Sequence, residues 1–122
     1  RRLRMPLIVP IGDTADNIQT VSVEGVAYNF RFRWNNRSES WFMYLGPKGS
    51  TPVIKTRLTT GGDLLEPYRG LEGIPPGSLY MLDLREEYGR PGRDNLGISQ
   101  RFQLLYMDKN IMDAVEAALD VY

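Results

Sequence analysis

The side chains best suited to acid–base chemistry are carboxylates. Asp83, Glu86 and Glu87 border a polar stretch, and Asp94 lies further along it. Two carboxylates held roughly 5–10 Å apart across a bound sugar would make a glycoside hydrolase. On that reading the chain degrades polysaccharide. Their spacing in sequence places them across no cleft, and Arg85, Arg90, Arg93 and Arg101 are near enough to balance them, so the plainer reading is a solvated loop. Asp13, Asp16 and Asn17 loosely suggest calcium ligands. They lack the alternating acids and distal glutamate of an EF-hand loop, and turn capping explains them as well. The chain has no His and no Cys. It therefore lacks the commonest general base, the commonest metal ligand and any thiolate or disulfide chemistry. Gly61-Gly62-Asp63 and Gly70-x-x-Gly73 lack the lysine-serine or lysine-threonine ending of a phosphate loop. No catalytic, cofactor-binding or metal-binding residue is assigned, and the chain reads as a protein that binds other proteins.

The strongest nucleic-acid signal is Tyr28-Asn29-Phe30-Arg31-Phe32-Arg33-Trp34. Aromatics interleaved with arginines can stack bases and hold phosphates. A single-stranded nucleic-acid-binding β-barrel module is therefore the alternative function. Against it, strict alternation puts the aromatics on one strand face and the arginines on the other. Four large aromatics on one face of a small domain belong in a core. The charge balance agrees: 15 Lys and Arg offset 15 Asp and Glu, whereas nucleic-acid binders carry a basic excess. No nucleic acid is expected as a partner. No run nears the ~20 apolar residues of a membrane helix, and Leu7-Ile8-Val9 is too short for a signal-peptide core. Met5 is a candidate natural start, with Arg1 to Arg4 upstream of it.

These side chains must be carried by strands. With 122 residues, 42% hydrophobic and 25% charged, the chain fits one globular domain. Leu7 to Ile11 reads as a short opening strand between prolines. Residues 18–34 read as a β-hairpin turning at Glu24-Gly25, with Val21 and Val23 on one face and an aromatic inner face. Trp41 to Leu45, Pro52 to Thr59, Ser78 to Leu84 and Ile98 to Met107 follow as strands. Gly46-Pro47-Lys48-Gly49 makes a turn. Asp63 is placed to cap a single helical turn, and the prolines and glycines of 59–77 forbid anything longer. Loops 59–77 and 86–97 are expected to become ordered on docking. After Asp108 the pattern changes. Ile111, Val115, Ala118, Leu119 and Tyr122 recur at helical spacing in an acidic segment. The expected fold is mainly β: a small antiparallel barrel-like or sandwich domain of about six strands over residues 5–107, with a C-terminal helical extension over 108–122.

Several short patterns occur in a fixed order. Met5-Pro6-Leu7-Ile8-Val9-Pro10 comes first. Val23-Glu24-Gly25 and Tyr28 precede Trp34-Asn35-x-Arg37 and Trp41. Gly62-Asp63-Leu64-Leu65 follows, then Asn95-Leu96-Gly97 before Leu104-x-Tyr106. The ordered set resembles the phage baseplate plug family of contractile-tailed bacteriophages, over roughly residues 5–107. The resemblance implies a non-catalytic virion subunit without cofactors, made in the host cytoplasm and present in several copies at the centre of the tail baseplate. Its implied partners are other baseplate, hub and tail-tube proteins. Segment 108–122 is not explained by it. Large aromatics, arginines and apolar helix faces are common interface anchors. The residues expected to contact partners are Tyr88, Arg90 and Arg93 in the long loop, and Ile111, Val115 and Leu119 on the terminal helix.

Overall fold

The computed structural model describes residues 7–85, 91–98 and 100–108. They form seven strands: β1 (Leu7–Val9), β2 (Asp16–Val23), β3 (Val26–Asn35), β4 (Ser40–Pro47), β5 (Ile54–Arg57), β6 (Ser78–Asp83) and β7 (Phe102–Met107). A 3₁₀ turn at Glu66–Tyr68 is the sole helical element among the described residues. The expected helix over 108–122 therefore has no support here, and beyond Asp108 it lies outside the described residues.

Two antiparallel sheets result, one of order β2-β3-β4-β5 and one of order β1-β7-β6. The sandwich half of the expectation holds and the barrel half does not, since neither sheet closes on the other among the described residues. Between β5 and β6 the chain makes one parallel bridge, Thr60 to Met81. It then runs through a segment with Pro67, Pro75 and Pro76. Proline has no N–H to continue a ladder.

The β2–β3 hairpin forms for a local reason. Glu24 and Gly25 have φ of 49° and 83°, the two left-handed conformations of a type I′ turn, whose twist matches that of paired strands. Its register sets Val21 opposite Tyr28 and Val23 opposite Val26. β3 then pairs with β4 so that Trp34 faces Trp41 and Phe32 faces Met43. Inward residues from both sheets fill one core: Phe30, Phe32, Trp41, Met43 and Leu45 from one side, Val9, Leu79, Met81, Phe102, Leu104 and Tyr106 from the other. Phe30 and Phe32 stack with centroids 6.3 Å apart.

The loop 59–77 packs on the domain's own core. Leu64 and Leu65 are buried in the core. The Asp63 carboxylate caps no helix. Its Oδ1 accepts from the backbone N–H groups of Leu65 (3.0 Å) and Leu79 (2.9 Å), tying the loop to β6. Arg69 closes the arrangement by pairing with Asp63 and donating to the Pro76 carbonyl and the Ser78 hydroxyl. A part-buried carboxylate with two N–H donors and a guanidinium is satisfied without any partner molecule.

Candidate interaction surfaces

The residues proposed for chemistry are mostly engaged in holding the fold. Asp83 forms a bidentate pair with Arg101 (2.8 and 2.9 Å). That bond holds its carboxyl below the usual carboxylate range, the opposite of what a general acid needs. Glu86 and Glu87 lie outside the described residues. Asp16 is likewise taken up by Arg31 (2.9 and 2.7 Å) and approached by Arg33 at 3.4 Å. Asn17 accepts from the Gly12 N–H at 2.8 Å, so it caps a turn. Among the described residues no group of three or more His, Cys, Asp or Glu is arranged to hold a metal.

Of the expected contact residues, Arg93 is described. Its guanidinium donates to the Asp13 carbonyl at 3.3 Å, lies 5.8 Å from the Trp41 ring centroid and pairs with Asp94 at 3.5 Å. It fastens the loop before β7 to the β1–β2 connection. Tyr88, Arg90, Ile111, Val115 and Leu119 fall outside the described residues.

The aromatic stretch of β3 resolves as a core element. Tyr28, Phe30 and Phe32 are buried, and Trp34 is half-buried, edge to face with Trp41. The stacking platform imagined from these four rings is therefore not available to a nucleic acid. Yet the arginine face does carry aromatics, supplied by the neighbouring strand. Phe42 stands opposite Arg33 and Tyr44 opposite Arg31; on the far side, Phe42 faces Arg57 and Tyr44 faces Lys55. Lys55 Nζ lies 4.9 Å from the Phe42 centroid and 5.4 Å from that of Tyr44, and the Arg57 guanidinium lies 5.5 Å from Phe42. The sequence held a signal for this face. Pairing Trp34 with Trp41 across the short loop fixes the register, and Phe42 and Tyr44 then fall beside the arginines.

Two other surfaces stand out. β2 is an edge strand of eight residues with no Lys, no Pro and no break in its pairing to β3. The Trp34 N–H donates to the Ala15 carbonyl. Antiparallel alternation then turns the backbone groups of Ile18, Thr20 and Ser22 away from β3. Free subunits usually guard such an edge with charge, proline or a bulge. The outer face of β1-β7-β6 is mostly apolar, with Ile8, Tyr80, Leu82, Leu105 and Met107 beside Ser78 and Gln103. A hollow of about 210 Å³ between Glu39, Trp41, Arg57 and Pro91 is small for a ligand site.

The described residues form a two-sheet scaffold that shows an edge strand and two outer sheet faces, the class of a structural protein that binds through its surface. The family comparison agrees with that class. The chain matches the family model described as cyanophage baseplate Pam3 plug gp18 over residues 7–109, and it belongs to that family. No curated protein matches it. The family-like patterns map onto the scaffold. Asn35 Oδ1 accepts from the N–H groups of Arg37 and Ser38. Asn95 Oδ1 accepts from Gly92 N–H. The Tyr106 hydroxyl joins the two sheets, donating to the Glu24 carboxylate and accepting from Gly77 N–H at 2.6 Å.

Proposed function

We propose that this chain is a structural subunit of a contractile phage tail baseplate, carried in the virion and acting by occupying a junction between neighbouring tail proteins. The observation that carries the reading is the family match, which spans all seven strands. Three physical features support it. The core residues Trp41 and Tyr106 spend their polar groups on hydrogen bonds within the domain. Among the described residues no strand pairs with the outer edge of β2, whose one charge is Asp16 at its start, and a neighbour's strand or surface would cover that edge. Asp83, first among the carboxylates considered for catalysis, is held in a bidentate pair with Arg101. Its partners are other baseplate, hub and tail-tube proteins, and it performs no catalysis.

The test is affinity capture of the tagged protein from phage-infected cells, with nuclease present, read by mass spectrometry. Recovery of tail-tube, hub or spike proteins is expected. A capture with no tail protein, together with bound oligonucleotide that disappears on nuclease treatment, would overturn the reading in favour of nucleic-acid binding.

A further inference from the structure

The outer face of the four-stranded sheet gathers positive charge on a chain that is neutral as a whole. Arg31, Arg33, Lys55 and Arg57 against Asp16 leave this face with a net charge of +3 among its described residues. The charge is not evenly spoken for. Asp16 holds Arg31 and Arg33. Lys55 and Arg57 have no carboxylate within ion-pair distance among the described residues, and both are exposed. Their cationic heads lie over Phe42 and Tyr44. Contact with aromatic rings orders long side chains and strips part of their water. An incoming anion then meets two cations already positioned.

We propose that this face docks a carboxylate-bearing protein surface, with Lys55 and Arg57 as its anchors. The inference rests on the baseplate reading and specifies the chemistry of one neighbour. Three observations favour protein carboxylates over nucleic-acid phosphates. The Phe42 and Tyr44 rings are engaged by cations, which competes with base stacking. Asp16 stands within the patch and repels a continuous phosphate backbone. The chain has no overall basic excess to gain from counterion release. Lys55 and Arg57 are two residues apart on one strand, so their stems leave the sheet roughly 7 Å apart. Alternate residues of an extended acidic segment match that spacing.

The experiment titrates the full chain with a short peptide of alternating glutamate and serine, and separately with an oligothymidylate of equal length, at low and raised salt. The expected result is saturable peptide binding that weakens with salt and falls about ten-fold or more in the Lys55→Glu/Arg57→Glu double variant. A Lys48→Glu variant, altered in the turn after β4, retains full binding. Equal peptide binding by the double variant and the native chain overturns the proposal. So does tighter binding of the oligothymidylate that is lost in the double variant. Repeating the infected-cell capture separates the two readings. If the native chain recovers tail proteins and the double variant recovers the same set, the baseplate reading stands and this docking face fails. If the native chain recovers none, the baseplate reading fails and the peptide titration alone decides the face.

Discussion

The two faces of the β3–β4 ribbon use the same residue types to opposite ends. On the inner face Phe30 and Phe32 are fully buried, stacked on each other and enclosed by Met43 and Leu45. On the outer face Phe42 and Tyr44 are half-buried, and what covers them is the ammonium of Lys55 and the guanidinium groups of Arg31 and Arg57. An aromatic ring excludes water in both places. In one it does so for the folded chain itself. In the other it prepares cations for contact with something else. Residue type alone does not separate these roles; the register between strands does.

The largest expected effect lies on the inner face. Phe30→Ala lowers unfolding free energy by about 3–5 kcal/mol through lost burial and the cavity left behind, read from the urea midpoint. Phe42→Ala costs no more than about 1 kcal/mol, the scale of an exposed contact. If the two variants unfold at the same urea concentration, the outer face is a second core and the comparison collapses.

Next in size is the join between the sheets. Tyr106→Phe removes a hydroxyl that serves both the Glu24 carboxylate and the Gly77 N–H. Leaving the buried Gly77 N–H without its acceptor costs roughly 1–3 kcal/mol. Burial, reinforced by the hydrogen bond to Glu24, raises the phenol well above its ordinary range. The folded chain thus keeps the proton where the unfolded chain begins to release it, near pH ~10. The stabilisation is complete below that pH and is lost as pH rises above it. In Tyr106→Phe the alkaline decline is shallower, and Tyr28, also raised by burial, supplies part of what remains. A midpoint-against-pH series in both chains measures this.

The acid side compares two arginine–aspartate pairs. The side chains of Asp83 and Arg101 are 15% and 18% exposed, those of Asp16 and Arg31 43% and 41%. In both pairs the hydrogen-bonded guanidinium lowers the aspartate below its usual value. Stability from each is therefore present above pH ~4 and lost as pH falls through the lowered value. Asp83→Asn reduces the melting temperature at neutral pH more than Asp16→Asn, because water and salt screen the exposed pair. The reverse order would mean that the outer pair is structural. The smallest effect is that of Lys55→Glu/Arg57→Glu on stability: a thermal melt within error of the native chain, even where peptide binding is lost.

Much of this contrast was legible beforehand. Strict alternation in Val26 to Trp34 sorted Tyr28, Phe30 and Phe32 from Arg31 and Arg33. Glu24-Gly25 marked the turn. Other features depended on contacts between segments distant in sequence, which periodicity does not carry. Ile98 to Arg101 continues the apparent strand pattern of β7, yet Asn95 and Gly97 pair with Phe102 instead, so the strand starts at Phe102. The order in 59–77 hangs on Asp63 reaching Leu79, 16 residues away. The division into two sheets follows from which strands pair, with β5 on β4 and β6 on β7, and periodicity does not carry that. The carboxylates weighed for catalysis, Glu86 and Glu87, and the expected contact residues Tyr88 and Arg90 fall outside the described residues. The anchors that emerged, Lys55 and Arg57, gained meaning only once β5 was seated beside Phe42 and Tyr44.

Trp34 and Trp41 meet where the ribbon enters its loop, edge to face with ring centroids 5.6 Å apart. Each indole N–H is fixed, one to Asn36 and the other to the Gly92 carbonyl. Two indoles held so close and at a set angle couple their strong ultraviolet transitions into an exciton pair of opposite-signed circular-dichroism bands. The chain has no other tryptophan, so this optical signature reports on one end of one sheet, the end that also bears Arg33, Phe42 and Arg57. Label-free spectroscopy can thus follow that corner of the molecule through unfolding or docking, independently of the rest of the domain.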